Sequence, residues 1–200
     1  MTAIEAALRQ ICADLTETRH SFALVGGLAV SARTEPRFTR DADVAVAVSS
    51  DAEAEALVRG LRARGYEIEA VVEQEAVGRL ATARLTRSSE PTPPIIDLLF
   101  ASSGIEPEIV AHADEFELLP QLRVRVATTG HLIALKVLAR DDLARPQDIS
   151  DLRALLRVAT AVEVARARAA IALIATRGYH RGRDLQTELE KLLRTSDKAR

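Results

Sequence analysis

Asp41 and Asp43 stand two residues apart in Thr39-Arg40-Asp41-Ala42-Asp43, and a third carboxylate, Asp97, interrupts the apolar run Ile95-Ile96-Asp97-Leu98-Leu99. A β-strand has a period of two, so Asp41 and Asp43 point to the same face. Carboxylates side by side repel each other and are costly on a half-buried strand unless a cation lies between them. Magnesium suits that place, being hard and oxygen-seeking while keeping room for phosphate oxygens. A strand as hydrophobic as the one around Asp97 belongs in a sheet centre, and a shared metal site gives its lone carboxylate a reason. Three carboxylates can hold two metals about 4 Å apart, one activating an acceptor hydroxyl and the other holding a triphosphate. Asp97 would then sit near the attacking oxygen as a candidate general base.

Three further features suit a phosphate ligand. Gly26-Gly27 breaks a short strand before a helix; glycine lets the backbone approach a ligand closely, and the helix start offers free N–H groups and a positive dipole end. Arg33, Arg37 and Arg40 could add positive charge beside it, although each alone reads first as a solvated surface arginine. The chain has only three lysines, Lys136, Lys191 and Lys198, and only Lys136 lies in an otherwise apolar helix. In a chain that nearly always uses Arg, this points to a compact charge needed on a triphosphate. Asp148 and Asp151, three apart near a helix start, could simply answer the helix dipole; alternatively Asp148 orients Lys136 or the base.

The elements that must position these groups are legible in the pattern. Capping-box sequences at Thr2-Ala3-Ile4-Glu5, Ser50-Asp51-Ala52-Glu53 and Thr160-Ala161-Val162-Glu163 open helices running to about residues 19, 65 and 176. Strands are expected over 21–25, 42–48, 66–72, 79–86, 95–100 and 122–126, with a short helix over 28–33 and a Pro-rich turn over 90–94. From residue 128 onward the signal is helical: 131–140, 146–158, 160–176 and 183–194. The composition shift divides a mixed half, 1–127, from an all-helical half, 128–200, packed on it.

Composition narrows the class. Hydrophobic residues are 48% of 200, enough for a core, but aromatics are 3% and Trp is absent, so that core is Ala, Leu, Val and Ile. A formal net charge of −2 gives no overall drive toward nucleic acid or an anionic membrane. Arg84, Arg87, Arg123 and Arg125 could still build a local basic face for RNA, or be alternate outward residues of two strands. The single Cys12 excludes an intrachain disulfide, and with no signal sequence or apolar span the expected place is the cytoplasm, with no membrane partner. The four histidines have no zinc spacing, and no Ser-His-Asp pattern occurs.

The strings Ala23-Leu-Val-Gly-Gly-Leu-Ala-Val and Arg37-Phe-Thr-Arg-Asp-Ala-Asp-Val resemble the DNA polymerase β-like nucleotidyltransferase superfamily, and most closely its AbiEii/AbiGii-type members, many of which are toxins of toxin–antitoxin or phage-defence pairs. Ile96-Asp97-Leu98-Leu99 resembles that family's third-carboxylate strand; Leu135-Lys136 and Arg145-Pro-Gln-Asp148-Ile-Ser-Asp151-Leu resemble its downstream lysine and "R-x-x-D-x-x-D-L" blocks. The resemblance implies an α+β fold, a mixed β-sheet nucleotidyltransferase core with a C-terminal helical half. Asp41, Asp43 and Asp97 would be metal ligands, Lys136 a triphosphate contact and Asp148 an active-site residue. Gly26, Gly27, Thr39 and Arg40 would join Lys136 in binding the nucleotide. The implied chemistry is magnesium-dependent transfer of a nucleoside monophosphate from an NTP to an acceptor, RNA such as tRNA or a protein, with a cognate antitoxin as a possible partner. One departure stands out: the superfamily usually has Ser after the first Gly, where this chain has Gly27. The missing hydroxyl would have to come from elsewhere, with Thr39 the candidate. A non-catalytic, antitoxin-like nucleotide-binding module is the alternative that this departure raises.

Overall fold

The computed structural model describes residues 2–87, 93–141 and 146–197. In chain order they form α1 (Ala3–Glu17), β1 (Phe22–Val25), α2 (Gly26–Arg33), β2 (Asp41–Val46), α3 (Asp51–Ala63), β3 (Glu67–Gln74), β4 (Arg79–Thr86), β5 (Ile95–Leu99), α4 (Glu106–His112), β6 (Asp114–Leu119), β7 (Leu122–Val126), α5 (Thr129–Ala139), α6 (Pro146–Val158), α7 (Ala161–Thr176) and α8 (Leu185–Asp197). The expected strands and helices are present with ends shifted by a few residues. Residues 90–92 of the expected turn, and Arg145, lie outside the described residues.

The seven strands form one mixed sheet in the order β3-β4-β5-β2-β1-β7-β6. β2 is the central strand, antiparallel to β1 and parallel to β5. Alternation along β2 buries Ala42, Val44 and Val46 and turns Asp41 and Asp43 to the other face. Ile96, opposite in direction to its neighbour Asp97, lines a hollow with Ala3, Ala6, Ala7 and Gln10 of α1. Helix α1 therefore covers one face of the sheet, and the carboxylates look out on the other.

Two elements were not legible. The segment 101–121 holds α4 and β6. α4 spans seven residues with proline in its first turn, too short to show a helical period. β6, Asp-Glu-Phe-Glu-Leu-Leu, is an edge strand paired only with β7 and buries little, so its alternation is weak. The second capping box is also only half formed. Ser50 accepts from the Glu53 N–H, but the Glu53 carboxylate takes the Ser49 N–H at 2.7 Å instead of closing back on Ser50.

Helix α5 is buried on nearly every side, through Leu132, Ile133, Ala134, Val137 and Leu138, and packs against α7, α6 and α2. Its crossing with α7 is so close that a Cβ on Gly130 would lie 2.5 Å from the Glu163 carbonyl oxygen. Helix α2 is fixed at its far end by Arg33, which donates to the Val126 and Ala127 carbonyls at 2.9 and 3.0 Å and to Asp114 at 2.7 Å, over the Phe116 ring. A cation at the C-terminal end also suits the helix dipole. The expectation that Arg33 stands beside phosphates is thereby corrected: its guanidinium is spent on β6 and β7, at the end of α2 away from its glycines. Arg33→Ala removes these charge-assisted bonds to two carbonyls and Asp114, so a loss of about 2 kcal/mol in urea unfolding is expected.

Candidate active site

The register of β2 on β5 sets Asp43 directly across from Asp97. Directly paired residues share a face, so the two carboxylates and Asp41 all rise from the same side of the sheet. Val25, the last residue of β1, pairs with Asp43 from the other flank, so α2 begins at the same level. The three acidic groups and the double glycine are thus brought together by two strand pairings.

Gly26 has φ +62, and a Cβ there would lie 1.8 Å from Asp43 Oδ2. The position needs glycine twice over, for its left-handed backbone and for the carboxylate lying against it. The Gly27 N–H, in the first turn of α2, donates to the Asp43 carboxylate. A Cβ on Gly27 would meet Arg37 Nη2 at 2.9 Å and Thr39 Oγ1 at 3.0 Å. The space where a serine side chain would begin is therefore lined by the Thr39 hydroxyl and the Arg37 guanidinium.

Lys136 reaches Asp148 Oδ1 at 2.6 Å and Asp151 Oδ2 at 2.8 Å. Asp151 also receives a two-bond fork from Arg37, Nε and Nη2 each at 2.7 Å. This buried aspartate, not singled out from sequence as a site residue, joins both cations on the carboxylate face. Its i,i+3 spacing from Asp148 was the available signal. Asp148 is itself buried, with Oδ2 lacking a hydrogen-bond partner among the described residues. Arg40 is exposed and lies over the ring of Phe38, itself exposed.

Asp97 is held by Arg84 of β4, Nε to Oδ1 at 2.9 Å and Nη2 to Oδ2 at 2.8 Å. Arg84 is directly across from Asp97 in the β4–β5 ladder. This corrects the idea of a continuous basic face. Arg84 belongs to the acidic site, Arg87 lies over Tyr66 and donates to the Arg64 carbonyl, and Arg123 and Arg125 sit on β7, three strands beyond β5. Arg125 is engaged by the Ala111 and Ala113 carbonyls.

Burial pushes the Asp43 carboxyl up to about 6, and repulsion from Asp97 and Asp41 adds to it, against opposing help from Lys136 and the Gly27 N–H. Among the described residues no three acidic, His or Cys side chains are gathered as they stand to hold a metal ion. Asp97 is turned to Arg84 and Asp43 to Gly27.

The family model described as "Nucleotidyl transferase AbiEii toxin, Type IV TA system" matches residues 4–200. The chain belongs to the AbiEii nucleotidyl transferase family. It is a nucleotidyltransferase, and its α+β mixed sheet is the fold of solved relatives. An antigenic nucleotidyltransferase-like protein from Paracoccidioides brasiliensis superposes with TM-score 0.54 at 15% identity, over 94% of this chain and 91% of that one. The antibiotic-resistance factor ANT(2'')-Ia gives 0.53 at 18% identity, over 85% and 90%. The lincosamide antibiotic adenylyltransferase LnuA gives 0.50 at 14%, over 78% and 98%. No curated protein matches. At these identities the solved structures speak to fold alone, and the family assignment rests on the model match.

Two outcomes test the geometry of this AbiEii site. Gly26→Ala should lose about 2 kcal/mol or more of stability, through positive φ and collision with Asp43, whereas Gly27→Ala should lose less than about 1 kcal/mol, because the atoms it meets can shift. Thermal melts of the two variants check the contrast. For Asp43, a native pKa raised to about 6 means that the folded protein holds this proton more tightly than the unfolded chain. Ionisation therefore subtracts stability as pH rises from about 4 to about 6, and the full penalty stands above that window. Asp43→Asn should stabilise by on the order of 2 kcal/mol at pH 7.5, with the gain shrinking toward zero by pH 4. A gain equal at both pH values would overturn this.

Proposed function

We propose that this chain is a magnesium-dependent nucleotidyltransferase that moves a nucleoside monophosphate from an NTP to an RNA acceptor such as tRNA, or to a protein. The carrying observation is the pairing of Asp43 with Asp97, with Asp41 two residues along, at the level where α2 begins. The donor set fits magnesium: three hard carboxylates on one face, with Asp43 pushed up first by burial and further by repulsion from Asp97 and Asp41. Asp41, Asp43 and Asp97 would hold the metal, in a two-ion arrangement, and its chemistry there is charge neutralisation on the triphosphate and the attacking oxygen.

The chain's own residues supply the rest. The Gly26-Gly27 turn and the first N–H groups of α2 receive phosphate oxygens, with the helix dipole favouring the anion. Thr39 offers the hydroxyl where Gly27 has none. Lys136, held in place by Asp148 and Asp151, stands near enough to Asp43 to act on its charge and can neutralise a phosphate oxygen; Arg40 flanks the same segment. The acceptor oxygen attacks the α-phosphorus and passes its proton to Asp97. As the new P–O bond forms, the bond to the β-phosphate breaks and pyrophosphate leaves. Residues 128–200 act as the helical half that brings Lys136, Asp148 and Asp151 to the core of 1–127. Because Thr39 fills the place of the absent serine side chain, catalysis is favoured over the nucleotide-binding-only alternative.

The family points further to a toxin role with a cognate antitoxin. Among the described residues no helix is long and apolar enough to cross a membrane. Incubation with each α-labelled NTP, magnesium and either total tRNA or total cell protein should give labelled acceptor. Asp41→Ala and Asp43→Ala, with the fold intact, should lower the rate by about a thousandfold or more, the scale on which a lost catalytic electrostatic group acts. Lys136→Ala should raise the NTP KM about tenfold. Undiminished transfer in both aspartate variants rejects the metal assignment.

A further inference from the structure

The proposed metal site raises a question about Arg84. Its guanidinium engages both oxygens of Asp97, at 2.9 and 2.8 Å, from the neighbouring strand. The pair is asymmetric: the Asp97 side chain is 12% exposed and the Arg84 side chain 46%. The carboxylate is fixed in the sheet centre, while the cation reaches in from the rim and can return to water at small cost. Asp97 is also the member of the acidic trio that another side chain holds by a fork, while Asp43 rests on a backbone N–H; among the described residues no three acidic groups are gathered for a cation.

We propose that Arg84 is a positioning residue that serves as an exchangeable counter-cation. It holds Asp97 and neutralises it opposite Asp43, and it gives up the carboxylate when a divalent cation enters. This rests on the reading of Asp41, Asp43 and Asp97 as the metal site. Like charges at directly opposed positions of a ladder are destabilising, and Arg84 supplies the offset from the third strand in line, β4, by the same register that opposes Asp97 to Asp43. The guanidinium occupies both Asp97 oxygens, so a metal taking either one would compete with it. The apparent metal affinity is then set in part by an arginine that need not touch the metal. Lysine at this position would keep the charge but not the two-bond fork.

The test is direct Mn2+ binding, by titration calorimetry and by loss of the free-ion EPR signal, on the full chain without nucleotide. Arg84→Gln should bind Mn2+ about fivefold more tightly than the parent, the scale of a partly exposed fork removed as competitor, with Arg84→Lys between them. A merely structural arginine would leave affinity unchanged or weaken it on removal. Equal or weaker binding in Arg84→Gln, with binding still abolished by Asp43→Asn, overturns the exchange and leaves the metal site standing. Absence of any Asp43-dependent Mn2+ binding in parent and variants alike overturns both. Matching melting curves of parent and Arg84→Lys guard against misfolding as the cause of a loss.

Discussion

The repulsion between Asp43 and Asp97 is the constraint around which the site is arranged. A parallel pairing of two central strands sets the two carboxylates directly opposite one another, with Asp41 a short step away on the same face. No amount of apolar packing relieves that; it takes positive charge or hydrogen-bond donors. The structure meets it from three sides: the Arg84 fork on Asp97, the Gly27 N–H on Asp43, and the nearby charge of Lys136. Each comes from a different element, β4, α2 and α5, so the electrostatics of two side chains bind the sheet and both halves of the sequence into one arrangement.

The backbone has been shaped by the same demand. Gly26 adopts a left-handed conformation at the strand-to-helix junction, and the Asp43 carboxylate lies against it where a side chain would otherwise be. Arg33 fastens the opposite end of α2 to β6 and β7, so the helix cannot slide away from the acidic cluster it serves. Thr39 and Arg37, on the extended segment that crosses Gly27, complete the lining.

Much of this was readable from residue order, and the boundary is physical. Which side chains share a face followed from the period of a strand, so Asp41 and Asp43 could be grouped at once, and Asp97 was conspicuous as a charge among Ile and Leu. Thr39 could be named as a candidate hydroxyl for a glycine lacking one. What each group is bonded to was hidden. Arg84 looked like one of several outward arginines because the register of β4 on β5 depends on the whole sheet, not on either strand. Asp151 and Arg37 are 114 positions apart, and nothing local links them. Helix α4 was missed because two turns are too short to repeat a period, and strand β6 because it runs along an edge and buries little.

Asp151 gives the architecture a property of its own. One buried carboxylate on α6 grips Lys136 from the preceding helix and Arg37 from the stretch ahead of β2. Undocking α6 would strand two positive and two negative charges at once, since Asp148 leaves with Asp151, so Lys136 and Arg37 are held in place only when that helix is seated. A product cut short before α6 would keep Arg84, the Gly27 N–H and Lys136 beside the acidic trio, but would lose the two carboxylates that seat Lys136 and Arg37.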